Sequence, residues 1–398
     1  MKVDFCTEAF FTNPHPTYHY LRERAPAYWY PFYTQSKLTG SRGMWVFSRY
    51  DDVAQILRMG GGITKVVPPV VVNNRLSVFN EHLLDKDPPD HTRMRAVVEN
   101  FFSARSITAM DGLIHEVVDF VFDNIGTRTE FDFIAEFALQ LPLLLFSRLM
   151  GVPFEDLAKI RQWSEMVTFY LDSGLCQRSV MHELESAEAG FIPYFKELID
   201  KRRSEVGGDL LSLLITANDE GKLSDQELLG MAVFFIFAGH ESTADLLGTG
   251  LYTLCSYPEQ LQLLQQQRAL LPTAIEEMMR FESPAQRGGF RVTTQGCQIG
   301  EKKLQAGEQV CALISAANRD PRQFRNADSF DITRQPNRHL AFGSGIHTCL
   351  GNTLARRELR IAFERLLDRW PNIKLTAHPP KWAANSFFRR IDSLWIRV

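Results

Sequence analysis

Residues 342–351 read FGSGIHTCLG, a stretch with one cysteine, one histidine and three glycines directly before a strongly helical run. Gly343 and Gly345 permit positive φ and a close approach of the backbone. Free N–H groups and the dipole at the following helix start favour a thiolate at Cys349. This chemistry is typical of a covalent nucleophile or a metal ligand, with His347 as a base or an anion contact. A buried free cysteine in a turn is the alternative.

The composition limits the classes of protein to consider. The chain has 398 residues, of which 45% are hydrophobic, and a formal net charge of −3, which does not favour binding to nucleic acid or to an anionic membrane. Its six cysteines are scattered without a CxxC pair, a pattern that argues against a disulfide framework and predicts a reducing cytoplasm. The most apolar run, Leu228–Gly239, is too short to span a bilayer, and the N-terminus does not resemble a secretory signal.

Helical periodicity dominates the chain, and we expect a single domain over residues 1–398. The longest predicted helix, Asp225–Cys255, follows a capping box formed by Ser224 and Glu227 and is apolar on nearly all sides, so we expect it to be central and buried. Short strands are predicted at Met44–Phe47, Phe290–Thr294, Gln298–Ile299, Gln309–Ile314 and Leu394–Val398.

The pattern Phe-x-x-Gly-x-His-x-Cys-x-Gly within LAFGSGIHTCLGNTLAR, residues 340–356, resembles the haem-binding loop of the soluble bacterial cytochrome P-450 family. The resemblance implies a mainly α fold with a small β region, and haem b between the long central helix and the cysteine-loop helix. It makes Cys349 the axial thiolate of the iron, with Phe342 and Gly343 against the cofactor. Thiolate ligation favours O–O cleavage.

Two further motifs occur in the family's order. Glu277 and Arg280 match its ExxR pair, and Arg334 matches the arginine that completes this structural network; a solvated surface pair is the alternative. Residues 238–243, AGHEST, resemble the oxygen-activation segment on the long helix.

In that segment the small residues Ala238 and Gly239 would leave room for dioxygen. Glu241 would be the acid and Ser242 or Thr243 the hydroxyl of a proton-delivery pair. The sequence departs from the family here, because serine stands where threonine is usual. Either hydroxyl could instead bond back to a helix carbonyl.

Haem propionates need cations, and the family positions for these contacts carry basic residues. The resemblance assigns this role to His91, Arg95, Arg291, His339 and His347.

The predicted substrate pocket rests on analogy with the family and includes Phe235, Arg287, Gly288 and Phe387, together with the loop 60–87. Arg287 lies four residues before Arg291, where relatives often carry an apolar side chain. We hypothesise that it contacts a carboxylate or polyoxygenated group of the substrate. The alternatives are that it turns to solvent or pairs with Glu282.

The predicted function is a monooxygenase that inserts oxygen from O2 into a largely apolar small molecule, as in specialised-metabolite tailoring. Because the chain carries no reductase motif, electrons would come from another protein, and the resemblance implies a ferredoxin or flavodoxin with its reductase. This partner would dock on arginines behind Cys349, namely Arg93, Arg105, Arg356, Arg357 and Arg360; a solvated helix face is the alternative. The alternatives are a peroxide-driven or non-oxygenating haem enzyme, a haem sensor, and a cysteine hydrolase using Cys349 and His347.

Overall fold

The computed structural model describes residues 3–32, 41–58, 62–66, 71–72, 75–176, 181–205 and 207–398. Most of this part of the chain is helical. In chain order its helices are α1 Glu8–Thr12, α2 His15–Arg24, α3 Tyr50–Arg58, α4 Asp90–Val98, α5 Ala104–Ala109, α6 Asp111–Ile125, α7 Gln140–Leu149, α8 Leu157–Cys176, α9 Met181–Ser204, α10 Leu210–Asp219, α11 Asp225–Ser256, α12 Pro258–Gln266, α13 Leu271–Phe281, α14 Ile314–Ala317 and α15 Asn352–Arg369.

The strands are short. They are β1 Ala27–Pro31, β2 Gly43–Phe47, β3 Ile63–Thr64, β4 Val71–Val72, β5 Arg75–Leu76, β6 Glu130–Asp132, β7 Arg291–Thr293, β8 Cys297–Ile299, β9 Lys302–Leu304, β10 Gln309–Ala312, β11 Lys374–Leu375, β12 Lys381–Trp382, β13 Ile391–Ser393 and β14 Trp395–Arg397. Five of them form one sheet in the order β1-β2-β10-β7-β3. Within it β10 runs parallel to β2 and antiparallel to β7. A small sheet region beside a helical body agrees with the prediction.

The long helix α11 is the centre of the molecule. Ser224 accepts a hydrogen bond from the Glu227 N–H, and the Glu227 side chain accepts one from the Ser224 N–H, so the predicted capping box is present. Its 32 residues give a length of about 48 Å. Side chains on most of its faces are buried and pack in one large core with α6, α7, α13 and α15. The prediction of a central buried helix is therefore confirmed.

One helix differs from its predicted bounds in a way that affects the site. The periodicity of residues 154–170 predicts a helix ending at Tyr170, but α8 continues to Cys176. The extension carries Leu171 and Asp172 over the C-terminal turn, where the Asp172 carboxylate accepts hydrogen bonds of 2.6 Å from the N–H and hydroxyl of Ser386. Residues 177–180, which follow α8, lie outside the described part of the chain.

The cysteine pattern was misleading at one pair. Cys6 and Cys176 form a disulfide that ties the N-terminal segment to the end of α8, across a sequence separation of 170 residues. The prediction that the cysteines form no disulfide is wrong for this pair, because spacing along the chain does not report which ends meet in space.

Within the described ranges, no helix is both long enough and apolar enough to cross a membrane.

Candidate active site

The cysteine loop takes its shape from two glycines and one backbone hydrogen bond. Gly343 and Gly345 have φ of 73° and 79°, so the predicted positive φ is confirmed at both. The Cys349 N–H donates to the Phe342 carbonyl at 2.8 Å, which closes the loop. A Cβ on Gly345 would lie 2.7 Å from the Cα of Arg58, so the backbone that needs this glycine is that of α3. The sequence had suggested only an approach to a flat cofactor.

Cys349 is exposed and lies three residues before α15 begins. The surrounding protein still desolvates the sulfur and raises the pKa of the thiol, while the Gly351 N–H and the charges of Arg95 and Arg356 act in the opposite direction. A cation bound at the sulfur would overcome the desolvation and leave a thiolate. The arrangement therefore suits a metal ligand.

A cysteine hydrolase would need His347 to act as the base of Cys349. Neither ring nitrogen of His347 has a hydrogen-bond partner among the described residues, so the two side chains form no Cys–His pair. The geometry does not favour this alternative.

Basic side chains converge beside the loop. The rings of His91 and His347 lie 4.4 Å apart between centroids, and none of their four nitrogens has a hydrogen-bond partner in the described ranges. Burial, followed by the charges of Lys65, His91, Arg291 and Arg95, lowers the pKa of His347 to about 2. The group, here called the basic cluster, consists of Lys65, His91, Arg95, Arg291 and His347.

The basic cluster fits an anionic ligand. The Nε of Arg291 is buried and, among the described residues, has no acceptor, while its NH1 donates to the Gly289 carbonyl at 2.7 Å. Burial of like charges without acceptors is costly. Two carboxylates brought by the predicted haem would supply both charge and acceptors, so the residues present fit this cofactor. Arg95 also donates to the carbonyls of Ile346 and Thr348, which fixes the loop against α4.

Lys65 belongs to the basic cluster, although no sequence motif had assigned it to the site. Lys65 is buried, and its pKa falls to about 8, chiefly through desolvation, which the Asp85 carboxylate 3.6 Å away partly offsets. The only feature of the sequence that could have indicated this is a lysine within the largely apolar run ITKVV.

His339, which the family resemblance assigned to the propionate contacts, has other partners. Its ring pairs with Glu276 at 3.0 Å and accepts a hydrogen bond from the Ala341 N–H.

The ExxR residues form a buried network. Arg280 donates twice to the Glu277 carboxylate at 2.8 Å, and both side chains are 0% exposed. Arg334 approaches the same carboxylate at 3.1 Å. The alternative of a solvated surface pair does not hold, because no part of the pair reaches water.

The middle of α11 shows a half-buried stripe on an otherwise buried helix. It comprises Phe234, Ala238, Gly239 and Ser242, at spacings of four, one and three residues. Such spacings place these residues on one face of the helix.

Gly239 has a packing reason that the sequence did not reveal. A Cβ there would lie 2.3 Å from the ring of Phe146 on α7, so the glycine lets the two helices pack closely. The room predicted for dioxygen is filled on this side by the phenylalanine. Ala238 remains the small residue of the stripe.

The two candidate hydroxyls differ in their surroundings. Thr249 and Thr253 donate to carbonyls one turn earlier, but Ser242 and Thr243 make no such bond within the described part of the chain. Thr243 is buried in the packed side of the helix, whereas Ser242 lies on the half-buried stripe. Ser242 is therefore the more exposed of the two residues.

Glu241 is held by two basic side chains from different parts of the chain. Its carboxylate lies 3.1 Å from NH1 of Arg390 and 3.3 Å from Nε2 of His240. Burial would raise the pKa of Glu241, but its contacts with His240 and the charge of Arg390 outweigh this and lower it. Burial raises the pKa of the neighbouring Asp245 well above its ordinary value. Arg390 directly precedes β13 and is 149 residues from Glu241 in the chain, so no sequence motif linked the two.

The predicted pocket residues divide in the structure. Phe235 is buried and stacks on Phe102 at 5.7 Å, so it belongs to the core, and the phenylalanine of the stripe is Phe234. Gly288 donates its N–H to the Ala312 carbonyl at 2.9 Å, which ties this turn to β10. Phe387 lies against the guanidinium of Arg287 at 4.7 Å.

The structure describes only part of the loop 60–87 that was predicted to line the pocket. Its residues 60–61, 67–70 and 73–74 lie outside the described ranges.

The predicted docking patch retains fewer free charges than its five arginines suggest. Three of them form ion pairs within the molecule, Arg93 with Glu227, Arg356 with Glu276 and Arg357 with Asp111. Arg105 and Arg360 are exposed and form no ion pair with the described residues.

Comparison with known proteins gives consistent likenesses. A family model described as Cytochrome P450 matches residues 12–381. Cytochrome P450 107B1 of Saccharopolyspora erythraea is 36% identical over 369 residues, with 89% of each chain covered. The polyketide biosynthesis cytochrome P450 PksS of Bacillus subtilis is 33% identical, with 97% of this chain and 96% of PksS covered. The crystal structure of CYP109E1 from Bacillus megaterium in complex with testosterone has a TM-score of 0.88 at 29% identity, covering 98% of this chain and 99% of that one.

Proposed function

The chain belongs to the cytochrome P450 family of haem monooxygenases, and we propose that it inserts one oxygen atom from O2 into an organic small molecule by hydroxylation or epoxidation. We take residues 1–398 as one haem domain and the haem as haem b. The observation that carries the proposal is the convergence of an exposed thiol, Cys349, with a basic cluster in which both histidine rings and the Arg291 Nε have no hydrogen-bond partner among the described residues.

Two groups of residues would hold the haem, one at its iron and one at its carboxylates. Cys349 would ligate the iron, and the basic cluster would bind the carboxylates, with the Gly343 backbone and Phe342 beside the ring. When bound, thiolate-ligated haem supplies the reactivity that cleaves the O–O bond. The Glu277–Arg280–Arg334 network supports the loop and does not touch the reacting atoms.

The proton-delivery pair in this proposal is Glu241 with Ser242. Ser242 lies on the half-buried stripe of α11, and the carboxylate of its neighbour Glu241 is held by Arg390. Arg390 also lies 3.9 Å from Asp392, whose side chain is 40% exposed, so a chain of charged groups leads from Glu241 toward solvent. Proton transfer through positioned acids and hydroxyls is efficient when each partner is within reach. Thr243 is the weaker candidate, because it packs in the core.

We propose that a ferredoxin or flavodoxin, kept reduced by its own reductase, delivers electrons to the face behind Cys349. Arg105 and Arg360 are the arginines of that face that remain free to meet an acidic partner within the described ranges. A cytoplasmic location suits this supply of reduced partner. The polyketide role in the name of PksS supports specialised-metabolite tailoring as the setting.

The test is the spectrum of the reduced, carbon-monoxide-bound protein, freshly purified with haem. The proposal expects the red-shifted Soret band of a thiolate complex, and Cys349→Ser should abolish that band while leaving the far-UV circular dichroism unchanged. A wild-type protein without this band, or a Cys349→Ser variant that keeps it, contradicts the assignment. Product formed with ferredoxin, its reductase and O2 separates a monooxygenase from a haem sensor, and turnover supported by peroxide alone identifies a peroxide-driven enzyme.

A further inference from the structure

Arg287 is a buried cation that contacts two phenylalanine rings. Its residue is 1% exposed, and the guanidinium carbon lies 4.8 Å from the ring centroid of Phe290 and 4.7 Å from that of Phe387. Aromatic faces attract a cation, but they supply no hydrogen-bond acceptor to its N–H groups. Of the alternatives raised from the sequence, solvent exposure is ruled out.

The hydrogen bonds of this guanidinium are incomplete. One NH2 group donates to the Leu171 carbonyl of α8 at 2.8 Å, while the buried Nε has no acceptor. Within the described part of the chain, no carboxylate comes within ion-pair distance of Arg287. A buried charge in this condition is costly unless an anion is supplied from elsewhere.

The acids nearest in sequence and space are committed to other groups. Glu282, the predicted alternative partner, pairs with His15, Arg319 and Arg389 at 2.8–2.9 Å. One oxygen of Asp172 accepts two hydrogen bonds from Ser386. Burial lowers the pKa of Arg287, and the more distant charges of Cys311, Asp172 and Tyr18 only partly offset this.

Arg287 lies between the basic cluster and the contact of α8 with the C-terminal turn. Four residues along the chain, Arg291 belongs to the cluster, and a Cβ on the intervening Gly288 would lie 3.0 Å from the Arg291 NH1. On its other side Arg287 meets the end of α8 and the C-terminal turn, which Asp172 and Ser386 fasten together. The guanidinium thus lies where three segments that are far apart in the chain meet.

We propose that Arg287 binds the carboxylate of the substrate, and that the enzyme oxidises monocarboxylic acids whose remaining body is apolar. A carboxylate at the Nε edge would supply both the missing acceptor and the missing negative charge, in the planar geometry that a guanidinium favours. The apolar body would extend toward the stripe that includes Phe234 and Ala238. This inference rests on the proposed haem site, since it names the substrate class of that same site.

The experiment is an optical titration of the haem-bound enzyme, following the spin-state shift on ligand binding. The probes are dodecanoic acid, 4-phenylbutanoic acid and dehydroabietic acid, each compared with its own methyl ester. In the wild-type enzyme at least one acid should bind about tenfold or more tightly than its ester, since charge-assisted hydrogen bonds are strong when buried. Three acids of equal or weaker affinity than their esters overturn the proposal.

The variants separate a binding role from a structural one. Arg287→Gln should weaken that acid about thirtyfold, which corresponds to about 2 kcal/mol, and change its ester by less than about twofold. Arg287→Lys should recover part of the loss. Arg148→Gln is the matched control, because Arg148 is 60% exposed on α7, and it should leave both affinities unchanged.

Equal weakening of acid and ester in Arg287→Gln refutes the proposal and makes the arginine structural. An unchanged acid affinity refutes it as well. If Arg287→Gln does not bind haem, the decision passes to the wild-type comparison and to Arg287→Lys, which retains the charge. The carbon-monoxide spectrum of the wild type tests the haem site independently, so failure of the acid preference alone leaves the proposed function standing.

Discussion

Replacing Glu277 by glutamine removes the negative charge from the centre of a buried network while keeping the side-chain volume. The carboxylate accepts two hydrogen bonds from Arg280 at 2.8 Å, one from the Asp331 N–H at 2.9 Å and one from Asn337 at 3.1 Å, and it also faces Arg334. Glutamine keeps one oxygen and turns an NH2 group toward cations. At least two of these contacts therefore become repulsive or are lost.

The magnitude follows from burial. Removing one partner of a buried ion pair costs about 3–5 kcal/mol, because the remaining charge cannot be hydrated. Arg280 also donates to the carbonyls of Asn318, Ala327 and Ser329, which still stabilise it. We therefore expect the lower end, a loss of about 3 kcal/mol in the free energy of unfolding.

The control is Glu116→Gln, which removes the same chemical group from an ion pair with Arg148. The two side chains are 61% and 60% exposed and lie 3.3 Å apart, so this change should cost about 0–1 kcal/mol. Urea unfolding of the haem-bound proteins, followed by far-UV circular dichroism, compares the variants through their midpoints at equal slope. A Glu277→Gln midpoint that falls no further than that of Glu116→Gln would refute the reasoning that burial makes this pair indispensable.

Three further predictions concern the site and its surroundings. Lys65→Met should speed the transfer of haem to apomyoglobin, because it removes a buried cation of the basic cluster. Lys159→Met should not, because the Lys159 side chain on α8 is 60% exposed. Equal transfer rates in the two variants contradict a role for Lys65 in holding haem. Ser242→Ala should lower the product formed per reductant consumed more than Thr243→Ala does, since Ser242 is the more exposed of the two residues. The reverse order assigns proton delivery to the buried threonine. Burial would raise the pKa of Glu276, but its hydrogen-bonded arginine and histidine lower it to about 2 from an ordinary value of 4.5. The stability that this depressed pKa supplies is fully present above the ordinary value and is lost as pH falls through about 2. Glu276→Gln should therefore lower the urea midpoint most at about pH 7 and roughly half as much near pH 3, and a pH-independent difference is the contrary result.

Local motifs were predictable because their chemistry is written in neighbouring residues. The positive φ at Gly343 and Gly345, the capping box at Ser224 and the i, i+3 pairing of Glu277 with Arg280 each need only a few consecutive positions. The same holds for the central helix, whose apolar run is continuous. The order of these motifs also sufficed to identify the family, because a long motif carries more information than composition does.

The errors occurred where an outcome depends on segments far apart in the chain. Gly239 is small because Phe146 of α7 fills the space beside it, and Phe235 packs on Phe102 although helical spacing alone allowed it a place in the pocket. The Cys6–Cys176 disulfide joins ends that are separated by 170 residues. Packing and pairing of this kind leave no periodic signal in the sequence.

Neighbouring residues alone specify the cysteine loop, the ExxR pair and the long helix, and hence the haem monooxygenase family. Which charges meet depends on the tertiary structure. It brought Lys65 to the basic cluster, Arg390 to Glu241, and Arg287 into a box of phenylalanines without a carboxylate among the described residues. The physical reason is that the energy of a buried charge depends on its neighbours in space, and a linear sequence does not specify those neighbours until the chain has folded.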